Sequence, residues 1–493
     1  MPIRKVRRFQ AMVVVWLLNC CVAPPIFADD ASTTAPAVQR DWRWVKGAVF
    51  VPTNAVNEAQ MWDEYDPGIN DRELHHASIY GINCVRVYLH YFIYLKKKDA
   101  LLNDIEDFLT RADKYHIKTE LVFFDDCWHE PSRDILSADY HYPAPIPGVH
   151  NSRWLKSPGD DVLTHYPDHR DRLKAYVQDI VNAHRADPRI AFWETYNEPR
   201  KKAPTEQLEK DAQQWIHETG SLIPVTATGG EFSGDAYSDF ETWHQYSKSY
   251  RIRGSSEALN TECMCRPRQS IPGIVEHFAG KTGFIIWEFG IGRDNCRFAW
   301  QDKEEHPHQG EATVPFHGMV YPDGHPWSVD DAVAMLGRTA FDRTPFFKVA
   351  YFSDDHFNKL AKESISPMID FDLPDESGCG SPDATAGIGN ENFSERWTGK
   401  IVPPQSGEYA LTVDTDGKVT VAVDGKTIIE KNDQQRGKAS GKVTLDAAGG
   451  ADITVQYVHG TGGASLHVSW SGPGLSQSQP MTPAIPGSSK AGP

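Results

Sequence analysis

The sequence predicts an α/β chain, a (β/α)8 TIM-type barrel over residues 41–340 followed by an all-β domain over 344–480. Three observations predict it. Short apolar runs alternate with longer amphipathic ones from Asp41 to about Gly337. Polar and ionisable residues gather where the apolar runs stop. Beyond Arg343 helical spacing fades, and short alternating segments separated by turns such as Asp416-Gly417 and Asp424-Gly425 take over.

At 493 residues the chain is long enough for two or three domains, and 40% hydrophobic and 11% aromatic residues supply a large core. The 14 Trp exceed what a core of this size needs. Most are apolar filler, and some are expected to line a ligand groove. A net charge of −17 speaks against nucleic acid as a partner, because phosphate binding takes a basic surface.

The N-terminus reads as a signal peptide over 1–28: Arg4, Lys5, Arg7 and Arg8, then an apolar stretch Ala11–Ala23, then Ile26-Phe27-Ala28. The apolar run is short and broken by Asn19 and Pro24-Pro25, which argues against a membrane anchor. The expected product is secreted or periplasmic, with no membrane partner. Residues 29–40 read as a flexible leader and 481–493 as a disordered tail. Six cysteines remain after the signal, an even number that permits disulfides, but their spacing defines no framework. Cys263-Met264-Cys265 lacks the usual spacing of a zinc or redox pair, and no metal is expected.

The eight expected strands are Gly47–Val51, Asn83–Leu89, Lys118–Phe124, Ile190–Tyr196, Ile223–Ala227, Thr242–Tyr246, Ala258–Glu262 and Phe284–Glu288. Helical spacing marks Ile105–Tyr115, Arg170–His184, Thr205–His217 and Ile271–Phe278. Between Thr226 and Leu259 the helices must be short. An open doubly wound sheet is the alternative, but no Gly-rich phosphate loop supports it.

In a parallel barrel the chemistry sits at the C-terminal strand ends. Arg86 falls in the second strand, Asp125 and Asp126 end the third, and Asn197 and Glu198 end the fourth. His244 and Tyr246 end the sixth, Glu262 the seventh, and Trp287 and Glu288 the eighth. The long stretch Asp125–Pro167 is expected to wall one side of a cleft.

This constellation suits hydrolysis of a glycosidic bond, which takes one carboxyl to protonate the leaving oxygen and a second to attack the anomeric carbon. Glu198 is the acid candidate, since its aromatic strand would raise its pKa. Asn197 would bond the sugar 2-hydroxyl. The second carboxylate is Glu262 or Glu288. Strands four and seven face each other across a barrel mouth, which favours Glu262 at about 5 Å and a retaining mechanism. Several residues also admit plainer readings. Glu198 suits a surface turn, His244 a structural hydrogen bond, and Trp128 and Trp287 the core. Asp125 and Asp126 suit either sugar hydroxyls or a loop cap.

Taken together, Arg86, Asn197-Glu198-Pro199, His244-Gln245-Tyr246, Glu262 and Trp287 resemble the clan A glycoside hydrolases. Val51–Asn57 and Phe123–Trp128 resemble a cellulase-like subgroup near family five. The resemblance implies Glu198 as acid/base and Glu262 as nucleophile. It implies Arg86 and Tyr246 as the groups holding that nucleophile, Trp287 as the sugar platform, and no cofactor. The stretch between Tyr246 and Glu262 is shorter than that family's sixth helix. Asn392–Gly399, Pro403–Tyr409, Val423–Lys426 and Leu466–Trp470 resemble a protective-antigen-type (PA-14) domain, some members of which bind carbohydrate. Asp414-Thr415-Asp416 lacks the adjacent aspartates that hold calcium in some of them. The expected activity is retaining hydrolysis of β-glycosidic bonds in a polysaccharide or oligosaccharide, the glycan being the partner. The alternative is a non-catalytic carbohydrate-binding or adhesion protein that keeps the barrel as scaffold.

Overall fold

A computed structural model of the protein describes residues 41–228, 238–252, 257–376 and 379–484. The expected signal peptide and leader lie outside these residues. So do 485–493 of the expected tail.

Eight parallel strands follow one another: β1 (Lys46–Val49), β2 (Cys84–Tyr88), β3 (Lys118–Asp125), β4 (Ile190–Asn197), β5 (Val225–Thr228), β6 (Thr242–Gln245), β7 (Leu259–Cys263) and β8 (Gly283–Ile286). They pair in the order β5-β4-β3-β2-β1-β8-β7-β6. That is sequence order wrapped once around, with β1 hydrogen-bonded to β8. The two ends of the sheet, β5 and β6, meet without a ladder. Hydroxyls join them instead: Thr226 to Thr242 at 3.0 Å and Thr228 to Thr242 at 2.8 Å. This is the expected (β/α)8 barrel, nearly closed.

Helices Pro67–Ile79, Tyr91–Lys114, Tyr166–Ala183, Ala203–Glu218, Ile271–Phe278 and Val329–Leu336 pack outside the strands. Local sequence starts them. Asp66 accepts from the amides of Gly68 and Ile69 ahead of Pro67, and Ser270 accepts from Gly273 N ahead of Pro272. Among the described residues no helix lies between β5 and β6 or between β6 and β7. Trp42 fills space beside β4, against Phe192 at 5.1 Å and Phe240 at 4.4 Å.

The C-terminal domain is all β. Its strands are β9 (Phe347–Phe352), β10 (Leu360–Ser366), β11 (Asp370–Leu373), β12 (Ser394–Ile401), β13 (Gly407–Thr415), β14 (Lys418–Val423), β15 (Lys426–Lys431), β16 (Gly437–Leu445), β17 (Ala451–Val458), β18 (Ala464–Ser471) and β19 (Gln479–Pro480). One antiparallel sheet runs β10-β9-β12-β17-β14-β15, and the other β11-β18-β13-β16 with β19 beside β18. Alternating residues such as Val419, Val421 and Val423 face a shared core. The expected disordered tail from 481 is corrected at its start. Met481 is fully buried in this core and its amide donates to Val468 O at 2.9 Å.

Barrel and β domain belong to one compact unit. Arg293 reaches Glu376 at 2.5 Å, and Arg72 reaches Asp372 at 3.2 Å. All six described cysteines are free thiols. No helix among the described residues is long and apolar enough to cross a membrane.

Candidate active site

Six of the ten residues singled out from the sequence line one cavity of about 340 Å3 at the C-terminal strand ends. Asn197, Glu198, Tyr246, Glu262, Trp128 and Trp287 line it, and His244 bonds the carboxylates within it.

Its centre is a pair of carboxylates bridged by an imidazole. His244 Nδ1 lies 2.7 Å from Glu198 Oε1 and 3.4 Å from Glu262 Oε2. One oxygen of each carboxylate and a ring nitrogen of His244 all lie within 4.8 Å of one another. Glu198 holds φ at +44°, in the left-handed region that a β-carbon disfavours, just past the end of β4.

Glu262 is the more enclosed partner. Tyr246 OH donates to its Oε1, and Arg86 Nη1 donates to its Oε2 at 3.0 Å. Arg86 itself is fully buried in the barrel interior. Its Nη2 donates to Asn197 Oδ1 at 2.8 Å and to Glu194 Oε1 at 2.8 Å, and its Nε donates to Glu194 and Glu120. One guanidinium thus ties β2, β3, β4 and β7 together and faces three carboxyl groups. Burial pushes both Glu120 and Glu194 up. For Glu194 the Arg86 charge and a hydrogen bond from Glu120 outweigh burial, so Glu194 stays below the ordinary value and Glu120 lies well above it.

The protonation pattern corrects the expectation for Glu198. Burial pushes its carboxyl up, as the aromatic strand suggested, but the hydrogen bond and charge of His244 outweigh this and hold it below the ordinary 4.5. Burial pushes Glu262 above 4.5, only partly opposed by His244 and Arg86. Burial likewise pushes His244 down, and the carboxylates of Glu262 and Glu198 more than restore it, so its pKa rises. Without substrate the proton shared by Glu198 and His244 therefore rests on the imidazole.

Asp125 and Asp126 do not line the cavity, and their reading as sugar ligands is corrected. Asp125 accepts from Trp154 Nε1 at 2.7 Å, from Asn197 Nδ2 at 2.8 Å and from Cys127 N at 3.0 Å. Asp126 accepts from Tyr196 OH at 2.9 Å, Thr205 Oγ1 at 3.1 Å and Arg200 N at 3.0 Å. Both act as braces behind the site. Glu288, the other nucleophile candidate, is buried behind Trp287 and away from the cavity. It forms a cluster with Asp294 and Cys296 whose ligand atoms lie within 4.8 Å of one another.

Sequence reasoning missed half of the wall. Cys127, His150, Asn151 and Trp154 come from the long loop after β3, which was expected to contribute. Trp300 and His317 come from an equally long segment after β8, which was not. Trp287 sits between them, its ring 5.2 Å from Trp154 and its Nε1 donating to Cys296 Sγ at 3.2 Å. The surplus of tryptophan and the absence of periodicity after Glu288 were the available signals. Cys127 Sγ also lies 3.5 Å from Glu198 Oε2. Glu198, His244 and Glu262 are also the groups a divalent cation at this centre would use.

Fold and site together define a parallel eight-stranded barrel with a two-carboxylate mouth, joined to a β-sheet domain. Residues 350–481 match the PA14 domain family. Among characterised proteins the anti-sigma-I factor RsgI3 of Acetivibrio thermocellus is 34% identical over 122 residues, which is 24% of this chain and 18% of that protein. The chain thus spans under a fifth of that relative's length. Solved structures similar to part of the chain include an anti-sigma factor domain-containing protein from Clostridium clariflavum (28% identity, 28% of this chain and 45% of that one, TM-score 0.25). A PA14 sugar-binding domain from an RTX adhesin is also similar (17% identity, 29% and 99% covered, TM-score 0.23). So is the epithelial adhesin 6 A domain from Candida glabrata, solved with Galb1-3GlcNAc (12% identity, 28% and 85% covered, TM-score 0.24).

Proposed function

We propose that the barrel is a retaining glycoside hydrolase that cleaves β-glycosidic bonds, exported from the cell and needing neither metal nor cofactor. The observation that carries this reading is the approach of Glu198 and Glu262 across the barrel mouth, one carboxylate oxygen of each lying within 4.8 Å of the other. Retaining enzymes hold their carboxyl groups about 5–5.5 Å apart, whereas inverting ones leave about 6.5–9.5 Å for a water.

The chemistry follows from the hydrogen bonds. Glu262, held by Arg86 and Tyr246, attacks the anomeric carbon as the bond to the leaving oxygen breaks. Glu198 gives its proton to that oxygen. Substrate binding excludes water from Glu198 and disfavours its charged form, drawing the shared proton from His244 onto the carboxyl. Once Glu262 is an ester its charge is gone, and His244 loses one of the two carboxylates that raise its pKa. Glu198, now ionised, takes a proton from water, the hydroxide attacks the same carbon, and the ester breaks to regenerate Glu262. Trp287 offers an apolar face to the sugar ring.

The PA14 match supports a carbohydrate-related role for the whole chain, the second domain holding glycan near the barrel. A second reading has one observation in its favour. Glu198 is held ionised in the free protein, which suits a barrel that binds sugar without cleaving it. Hydrolysis of a panel of β-glycosides and β-glycans by wild type, Glu198→Ala and Glu262→Ala separates the two. Wild-type turnover with retained anomeric configuration in NMR, lost by about 10²-fold or more in both variants, fits hydrolysis. Binding without turnover on every substrate sinks it. EDTA is expected to leave the rate unchanged, and its abolition by EDTA would assign the three groups to a metal instead.

A further inference from the structure

The wall around the cavity is continuous on one side. Ring contacts run from Trp128 to His150 (4.9 Å), His150 to His317 (5.5 Å), His317 to Trp300 (5.8 Å) and Trp300 to Tyr246 (4.9 Å). The arc starts just after β3, is carried by the two long loops that follow β3 and β8, and ends at Tyr246, just past β6. The loops are fastened to each other by backbone. His150 N donates to Asp302 O at 3.0 Å, and His308 N donates to Gly148 O at 2.8 Å. Asn295 Nδ2 donates to Ile146 O at 2.8 Å. Gly148 is in the left-handed region at φ +74°, and a β-carbon there would strike the His308 carbonyl.

Among the described residues the open side is that of β4. The Glu198 side chain is 37% exposed, against 9% for Glu262. Among the described residues none from β5 lines the cavity. In a β-glycoside the leaving oxygen belongs to the reducing-end portion, and it must meet Glu198. The sugar attacked by Glu262 lies on the other side of that bond, inside the arc. The volume of about 340 Å3 is near the lower bound of ligand pockets, ~300–1,000 Å3.

We propose that this arc makes the barrel exo-acting. It takes the non-reducing terminal sugar of an oligosaccharide or simple β-glycoside into the closed end and releases the remainder past Glu198. The proposal rests on the hydrolase reading of the same site and adds the substrate class, chain ends rather than polymer interiors.

The test uses the full chain on aryl β-glycosides and on tetrasaccharides labelled with 2-aminobenzamide at the reducing end. Dyed cross-linked cellulose, mannan, xylan and β-glucan are run in parallel. The expected result is stepwise loss of one terminal sugar, with label on the next-shorter product in at least tenfold excess over other fragments early in the reaction. Dye stays bound. Labelled fragments of all lengths, or dye release, overturn exo action and leave the hydrolase reading standing. No turnover on any substrate overturns both. Gly148→Val, which parts the two loops, is expected to lower the tenfold product preference. A folded Gly148→Val with an unchanged pattern removes the arc as its cause. If that variant fails to fold, the wild-type pattern alone decides.

Discussion

Replacing Arg86 with Met leaves its carboxylate partners without their common cation. In the native barrel the guanidinium is fully buried and donates to Glu120, Glu194, Asn197, Tyr88 and Glu262. Breaking a buried ion pair by removing one partner costs about 3–5 kcal/mol. Here Glu194 and Glu262 both lose their cation, while Glu120 is protonated already, so the cost is set near one full pair and its neighbour's share. An unfolding entropy of ~2.1 cal/mol/K per residue over about 300 barrel residues gives ~0.6 kcal/mol/K, and hence a Tm lowered by about 5–8 °C. Differential scanning calorimetry of the full chain at pH 7 measures it. Lys at the same position should recover little, because an ammonium cannot span the forked set of acceptors. Glu262, already pushed up by burial, rises further, so the acid limb of any pH–rate profile moves to higher pH. A Tm within about 2 °C of wild type would mean that Glu194 and Glu262 are not held as charges by Arg86, and the electrostatic account of the site fails with it.

Three further outcomes follow from the same geometry. His244→Asn removes one of the two groups that share a proton with each other; a pair binds its proton through both sites, so the alkaline limb moves to lower pH and kcat at pH 7 drops on the order of tenfold or more. An unchanged alkaline limb in the pH–rate profile would refute the shared proton. Asp126→Ala takes the acceptor from Tyr196, Thr205 and Arg200 and should lower stability by about 2–4 kcal/mol in urea titration. KM should stay within about twofold, whereas a direct sugar ligand would raise it strongly. His467, at 2.5 Å from Asp370 and 3.2 Å from Asp372, is lowered by burial but raised more by these two carboxylates, to about 9. Its contribution is present in full below pH 6.5 and fades as pH rises through 9. His467→Gln should therefore cost about 1–3 kcal/mol at pH 6 and little at pH 10 by denaturant titration, and an equal loss at both pH values contradicts the assignment.

The strands were legible because burial on both faces leaves a plain apolar run, as in Leu121–Phe124 and Ile285-Ile286, bounded by polar residues. The catalytic-type side chains were legible for the same reason, since Asn197, Glu198 and Glu262 interrupt such runs at their ends. Direction was not. A carboxylate that closes a strand looks the same on paper whether it points into the mouth, as Glu198 does, or backs onto Trp154 or Tyr196, as Asp125 and Asp126 do. Charge state was misread because sequence neighbours are not electrostatic neighbours. The aromatic residues before Glu198 argued for a raised pKa, and His244, on another strand, reversed it. The segment carrying Trp300 and His317 stayed dark for a related reason. It has no periodicity of its own and takes its shape from hydrogen bonds to the loop after β3, such as Asn295 to Val149 at 3.1 Å.

The threonine hydroxyls that join β5 to β6 give the barrel a compliant seam. A ladder of amide bonds resists shear and spreading, whereas Thr226, Thr228 and Thr242 can rotate their hydroxyls to follow a small displacement. Glu198 follows β4 on one side of this seam, while Tyr246 and Glu262 belong to the β6 and β7 side. Widening there lengthens the span between the two carboxylates without stretching the β1–β8 pairing at the far side of the barrel. The gap on which the proposed chemistry depends is thus set partly by three side-chain rotors, and a Thr242→Val barrel would adjust it without touching either glutamate.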